Sequence, residues 1–245
     1  MLRRFLSPRW ILGHVVAVLL VVLLVNLGLW QLRRLDDRRE ANDRVTERST
    51  LAPVPGSAGL FDAGDSAALE WRLVTVTGVY DAENVLVILG RSDGGTAGTH
   101  SLVPLQGQDG FVWLVNRGFV PLAADTPAPP AGTVTVTGWL RPTQTRRTLG
   151  AIDSTDPGAV EYHRFDVELI SRRLTGNVAP MWVQLAAEEP STPGAAPAPV
   201  PLPPLDEGSH LSYAGQWFLF AAIAAGGWIV ILKRTARTPP APASA

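Results

Sequence analysis

The 245-residue chain contains no cysteine, and its only two methionines are Met1 and Met181. Without cysteine it can form no disulfide, and it offers no thiolate to zinc, copper or an iron–sulfur cluster. The shortage of both sulfur ligands also excludes the usual soft Cu(I) site. Copper chaperones, which share a membrane-anchored and outward-facing plan, are therefore excluded.

The chain also lacks an excess of either charge, because 21 basic residues stand against 22 acidic ones, for a net charge of −1. The basic residues are spread along the chain, so nucleic-acid binding is disfavoured. No G-x-S-x-G, Walker, H-E-x-x-H or G-x-G-x-x-G motif occurs, and serine, histidine and aspartate show no spacing that predicts a triad. The residues therefore predict no hydrolase or nucleotide-binding site.

Two long stretches lack charged residues altogether, residues 10–32 and residues 208–232. As a helix, each is long enough to cross the hydrocarbon layer of a bilayer, which is about 30 Å thick. The first stretch exceeds the apolar core of a signal peptide, about 7 to 15 residues, and no small-residue cleavage site follows it. We therefore predict two transmembrane helices, the first of them an uncleaved anchor.

Basic residues outside the two predicted spans set their orientation. Residues 1–9 contain three arginines, residues 233–245 contain one lysine and two arginines, and neither segment contains an acid. Because positive segments stay on the cytoplasmic side, both are predicted to be cytoplasmic tails, and the region between the spans is predicted to be extracytoplasmic. The abundance of arginine, alanine and proline is typical of a high-GC bacterial genome, so the predicted location is a bacterial plasma membrane.

Between the spans the pattern changes from helix to strand. Residues 33–48 carry opposite charges at helical spacing and predict a helix that continues the first span. Residues 49–190 predict one compact β-rich domain, and the proline-rich residues 191–207 predict an extended tether that forms no ladder. The predicted fold class is a membrane protein of the α+β type, with two transmembrane helices flanking a mainly antiparallel β extracytoplasmic domain.

Strand and turn signals inside the β domain predict two hairpins. The first joins residues 72–80 to 85–89, and the second joins residues 101–105 to 111–120. Further predictions are strands at 133–140 and 181–185 and a short helix at 167–174 with Asp166 as its N-cap. The word VTVTG occurs at 74–78 and again at 134–138, which is more typical of β-strands in general than of an internal duplication.

His210 opens the second span and is therefore predicted to lie at one face of the membrane. Tyr213 and Trp217 share its helix face, and Trp30 and Gln31 end the first span at the same level. An imidazole with aromatic walls above apolar lipid suits a heme iron. An ordinary interfacial aromatic belt around a hydrated His210 explains the same residues, so both interpretations stay open.

Other residues of the spans bear on how the two helices meet. His14 lies about 24 Å along the helix from Trp30, too far to share one iron with His210. It is either a bundle-facing polar residue or a separate ligand. Gly28 and Gly215 lack side chains and could let the two spans approach closely.

Five short words follow one another along nearly the whole chain: LWQLRR at 29–34, VTVTGVYD at 74–81, PL at 104–105 with DG at 109–110, VNRGFVP at 115–121 and HLSYAGQWF at 210–218. Together and in this order they resemble the surfeit-locus-one family of cytochrome c oxidase assembly proteins. Two positions depart from the family pattern. Phe119 stands where the family usually has tryptophan, and Gly208 with Ser209 replaces an asparagine-rich lead into the histidine.

The resemblance implies a non-catalytic assembly factor that binds heme a or helps to insert it into the catalytic subunit of cytochrome c oxidase. Heme a synthase is a further candidate partner. His210 is the implied iron ligand, while Arg117 is either a contact for heme propionates or the oxidase subunit, or a structural hydrogen-bond donor. The other implied pocket residues are Trp30, Gln31, Tyr213, Gln216 and Trp217. The alternative function is a scaffold that holds an oxidase intermediate without touching heme.

Overall fold

The computed structural model of the protein describes residues 5–62, 64–191 and 197–237. The chain forms two compact units, one made of Met1–Asp43 with Pro204–Ala245 and the other of Arg44–Pro203. Parts of three predicted segments lie outside the described residues: 1–4 of the first tail, 192–196 of the tether and 238–245 of the second tail.

Two long helices bracket a set of strands and short helices. The helices are α1 (Pro8–Ser49), α2 (Ser66–Leu69), α3 (Val167–Ser171) and α4 (His210–Arg237). The strands are β1 (Val54–Pro55), β2 (Leu73–Tyr80), β3 (Leu86–Asp93), β4 (Thr96–Gly107), β5 (Phe111–Pro121), β6 (Thr133–Arg141), β7 (Glu161–Tyr162), β8 (Asn177–Val178) and β9 (Trp182–Glu189). This order agrees with the predicted fold class.

The two long helices are both apolar and long enough to cross a membrane. Only 11% of the apolar window of α1 and 6% of that of α4 is buried inside the protein, which is typical of lipid-facing helices and not of buried core helices. Because α1 is one helix of 42 residues, it measures about 63 Å, roughly twice the hydrocarbon thickness. The helix predicted at 33–48 therefore does continue the first span.

α1 and α4 pack along a seam that includes Gly28 and Gln31 of α1 and His210 and Phe218 of α4. Glycine of α1 leaves room for an aromatic ring of α4 at two levels. A Cβ at Gly28 would lie 2.6 Å from Cε1 of Phe218, and one at Gly13 would lie 2.7 Å from Cη2 of Trp228. Gly28 thus lies at a contact with the other span, while the predicted close approach of the two helices stays a prediction. The prediction for Gly215 is wrong, because a Cβ there would have nothing within 4 Å.

Five strands of the second unit close into a ring in the order β2, β6, β9, β5, β4 and back to β2. β2 closes the ring by pairing Tyr80 with Leu105 of β4. β1 adds to β2, β8 to β5, and β3 with β7 to β4. Most of these pairs are antiparallel, and β5 with β9 is the parallel pair inside the ring.

The two VTVTG words pair with each other in β2 and β6, with Val76 opposite Val136. Their valines are buried, and their threonines point to the other face, where Thr75 and Thr137 bring their hydroxyls to 3.3 Å. This alternation is what the period of two in a β-strand requires. The main core lies on the valine side and includes the fully buried Trp113 and Met181.

The predicted hairpins have different outcomes. β4 and β5 form the second hairpin as predicted, with Gln106 opposite Val112. The first hairpin is wrong, because β2 pairs with β6 and β4, while β3 pairs with β4 and β7. A 3-10 turn at Ala82–Asn84 separates β2 from β3, so the two strands leave it toward different ends of β4. The match between the VTVTG words outweighs the local turn signal.

Two further predictions concern short elements. Asp166 caps α3 as predicted, since its carboxylate accepts a hydrogen bond from the Leu169 amide, although the helix ends at Ser171. The tether was predicted to form no ladder, and this is wrong at one point. Ala198 exchanges two backbone hydrogen bonds with Phe119 of β5, at 2.8 and 2.9 Å.

Candidate functional site

His210 is the first residue of α4 and is half-buried. Its Nδ1 lies 2.8 Å from Oε1 of Gln31, which is on the α1 side of the seam. Of the residues that the sequence nominates for a pocket, these two are joined by a direct hydrogen bond. The candidate site is built around this pair.

Gly208 shapes the chain immediately before the histidine. Its φ of +67° is a left-handed conformation that glycine adopts without strain. A Cβ at this position would touch the ring of His210, 3.5 Å from Cδ2 and 3.7 Å from Nε2, so glycine adds no side chain to that edge. Asparagine tolerates the same conformation better than most residues. The departure from the family's asparagine-rich lead is therefore compatible with the same turn.

Residues 204–207 are held against α1 by a set of hydrogen bonds that we call the headpiece clamp. Arg38 donates to the carbonyls of Pro204 and Asp206, at 3.2 and 3.0 Å, and Arg39 donates both its hydrogen bonds to Glu207, at 2.8 and 2.9 Å. The hydrogen bond from Arg39 lowers the pKa of the exposed Glu207 carboxyl. The clamp thus holds the residues just before His210 against α1.

A cleft of about 380 Å³ lies between the clamp and the histidine. We call it the headpiece cleft. It is lined by Arg34, Asp37, Arg38, Ala41, Asp206, Gly208 and His210. The Arg34 guanidinium is the most loosely held cation among them, since it is mostly exposed and its contact with Asp37 is 3.8 Å long. The cleft thus combines an imidazole with two arginines and two aspartates.

The remaining nominated residues of the spans lie around this pair without joining it. Trp30, Tyr213 and Gln216 are on exposed faces of their helices. Trp217 is half-buried and packs edge-on against Phe220, with ring centroids 6.0 Å apart. The exposed aromatic rings therefore face the surroundings of the helix pair, as the residues of an interfacial belt do.

Arg117 belongs to the β unit, where its side chain is 1% exposed. It is the extra residue of a bulge in β5, because Leu102 pairs with Asn116 and Ser101 with Gly118. The guanidinium donates to Glu188 at 2.9 Å, and Glu188 also accepts the hydroxyl of Tyr80 at 3.0 Å. Burial, followed by the neighbouring Glu188, raises the pKa of Tyr80, so its hydroxyl stays a donor. This geometry favours the structural role among the two that the sequence left open.

A sequence model of the SURF1 family matches residues 18–222, from inside α1 to inside α4. This chain belongs to the SURF1 family. Surfeit locus protein 1 of Takifugu rubripes is 27% identical over 226 residues, covering 83% of this chain and 90% of that protein. A SURF1-like protein of Monosiga brevicollis is 28% identical over 230 residues, covering 87% and 85%. An uncharacterised SURF1-like protein of Mycobacterium tuberculosis is 27% identical over 231 residues, covering 89% and 82%.

The SURF1 family is linked to the assembly of cytochrome c oxidase, and its members are assembly factors and not known enzymes. The two candidate membrane helices and the β domain between them fit a membrane protein of this family. The family resemblance drawn from the five words is therefore confirmed.

His14 lies at the other end of the helix pair in this SURF1-family chain. The indole Nε1 of Trp228 donates a hydrogen bond to its Nδ1 at 3.2 Å. The rings of Trp10 and Trp228 lie 6.1 and 5.4 Å from its own. His14 thus faces the helix pair, as one of its two predicted roles requires.

Sequence reasoning did not nominate the residues of the headpiece clamp or Arg34. A signal for the clamp was present, since the acids Asp206 and Glu207 precede the second span and Arg38 and Arg39 follow the first. Each pair reads as a solvated charge run when taken alone. Their complementarity becomes visible only when the two spans are placed side by side.

Proposed function

We propose that the protein is a heme-handling assembly factor for cytochrome c oxidase, which presents His210 to heme a at the outer face of a bacterial plasma membrane. The single observation that supports this most directly is that His210 lines the headpiece cleft, where residue 208 has no side chain beside the Nε2 edge of the ring. Imidazole is a common axial ligand of heme iron. The family's link to oxidase assembly supplies the biological context.

The residues of the headpiece cleft fit one edge of a heme and not a whole enclosed macrocycle. Nε2 of His210 would hold the iron, and the guanidinium of Arg34 would pair with a propionate carboxylate. The rest of the ring would lie outside the 380 Å³ cleft, against lipid or against the partner that receives it. Partial enclosure suits a cargo that is passed on, with the oxidase catalytic subunit as receiver and heme a synthase as a candidate donor.

A second candidate function is a scaffold that stabilises an oxidase assembly intermediate without binding heme. The exposed Trp30 and Tyr213 favour it, because aromatic rings at the ends of membrane helices commonly anchor them at the interface. In that case His210 would serve only to tie α4 to Gln31.

Heme binding by the purified full-length chain separates the two functions. Heme a is supplied in detergent solution, and the Soret band is titrated for the wild type, for His210→Ala and for His163→Ala, whose exposed histidine lies in the β unit. A chaperone gives a band that His210→Ala abolishes or weakens at least about tenfold, while His163→Ala leaves it unchanged. A wild type without a Soret band, or one that His210→Ala does not affect, would favour the scaffold.

A further inference from the structure

We propose that Gln31 is the positioning residue of His210: its side-chain oxygen accepts the Nδ1 hydrogen and so leaves the lone pair of the neutral ring on Nε2. The inference rests on the proposed function, because it assigns Gln31 a part in ligation by His210. The position of the proton on the His210 ring is also a property of the protein without heme. Gln31 then acts on the iron through the histidine and not as a heme contact.

The hydrogen bond itself determines which nitrogen carries the proton. The contact of 2.8 Å joins Nδ1 of His210 to Oε1 of Gln31. An amide oxygen can only accept, so Nδ1 must donate. In a neutral imidazole the other nitrogen then keeps its lone pair, and a metal binds to that nitrogen. Gly208, which has no side chain, lies beside this same Nε2 edge.

The seam holds Gln31 in the place where it can make this contact. Gly28 lies one turn before it, against the ring of Phe218, and Leu35 lies one turn after it and is 3% exposed. Gln31 therefore lies on α1 between one position that packs against α4 and one that is buried. A ligand histidine is commonly oriented by such an acceptor, which also raises the basicity of the ring.

The claim about the free protein is tested by nitrogen NMR of the full-length chain labelled with ¹⁵N-histidine, without heme. The signals of His210 are identified by their loss in His210→Ala. We expect the wild type to carry the proton on Nδ1 and Gln31→Leu to shift protonation toward Nε2. A wild-type signal with the proton on Nε2 would mean that the amide nitrogen faces the ring, and would overturn the proposal.

The claim about ligation is tested with hemin as the probe, in the same detergent solution. Gln31→Leu should weaken binding roughly 10- to 100-fold, the usual effect of removing an outer-shell partner of a metal ligand. Gln31→Glu, which keeps an acceptor and adds charge, should retain binding and lower the midpoint potential of the iron. The control is Asn26→Leu, which removes another amide of α1, one that donates to the Val22 carbonyl of its own helix.

The two measurements distinguish failure of this inference from failure of the proposed function. Hemin binding can depend on His210 while Gln31→Leu and Gln31→Glu leave the hemin affinity and the midpoint potential at the wild-type values. In that case the proposed heme-binding function stands, and the proposed role of Gln31 is wrong. If hemin does not bind through His210, the proposed function is wrong, and the NMR result alone decides whether Gln31 sets the tautomer. Loss of binding in both Gln31 variants, with the control intact, would contradict an acceptor role.

Discussion

At the scale of single residues, Arg117 is a candidate for the heme site, but its guanidinium forms a buried ion pair with Glu188. Both side chains are buried, 1% and 7% exposed, and they meet at 2.9 Å. Removing one member of a buried ion pair is costly because the other charge is left without its partner in a poorly solvating interior. The energetic role of Arg117 can therefore be measured separately from any role toward heme.

Arg117→Met should lower the free energy of unfolding by about 3 to 5 kcal/mol, and Arg117→Met with Glu188→Gln should recover much of that loss. Arg172→Met is the matched control, since Arg172 pairs with Glu168 on the surface at 3.3 Å, and it should cost less than about 1 kcal/mol. Urea unfolding of the full chain in detergent, followed by tryptophan fluorescence, measures these differences. A double variant that folds normally but loses hemin binding would instead assign Arg117 to the heme site.

The sequence predicts that His210 and Gln31 lie at the same membrane level, but it does not predict the hydrogen bond between them. Charge-free length and helical spacing place both at one membrane level, because periodicity along a helix is a local property of the sequence. The acceptor role of Gln31 depends on the distance from its Oε1 to Nδ1 of His210. These residues are 179 positions apart in the chain, so no local sequence pattern encodes that distance. The same holds for Arg117, whose orientation depends on a bulge in the pairing of β4 with β5.

At the scale of elements, the seam between α1 and α4 depends on the missing side chain of Gly28. A Cβ there would overlap the ring of Phe218, so a larger residue must displace that ring or push the helices apart. Gly227 of α4 offers the contrast, because a Cβ at that position would meet nothing within 4 Å.

Gly28→Leu should widen the seam by a few ångströms, on the order of one side-chain layer, and Gly227→Leu should not. The chain has no cysteine of its own, so spin labels can be attached to cysteines introduced at the exposed Leu19 and Ile223. Pulsed electron paramagnetic resonance then reports the distance between α1 and α4. Equal distances in Gly28→Leu and the wild type would show that the glycine contact does not set the spacing.

Strand positions were easier to predict than strand partners. Alternation of β-branched residues located β2 and β6, because the period of two is visible within eight residues. Pairing was predicted from proximity in sequence, and this rule failed for β2 and β3, which meet different ends of β4. Partner choice reflects the matched faces of distant strands, which a turn signal does not report.

At the scale of the whole molecule, α1 and α4 run in opposite directions, so two membrane spans would bring the segments that flank them on the outside to one side of the bilayer. The basic residues that flank α1 and α4 outside the spans favour the cytoplasm for these segments. The β unit, which lies between the two spans along the chain, is then expected to be extracytoplasmic.

Reporter fusions test this topology. Alkaline phosphatase should be inactive when fused to either end of the chain and active when inserted at the exposed turn of Gly94 and Gly95. Green fluorescent protein at the same three points should give the opposite pattern. An active phosphatase at either end would contradict the proposed orientation and would move His210 to the cytoplasmic face.

The polar contacts on the seam restrict how α1 and α4 can slide along each other. Gln31 with His210 and Trp228 with His14 join α1 to α4 near opposite ends of the spans. A slide of one helix past the other by a single turn, about 5.4 Å, would break both contacts together, so the pair has one preferred register. The proposed heme site at His210 would therefore keep the same geometry each time a heme binds and leaves.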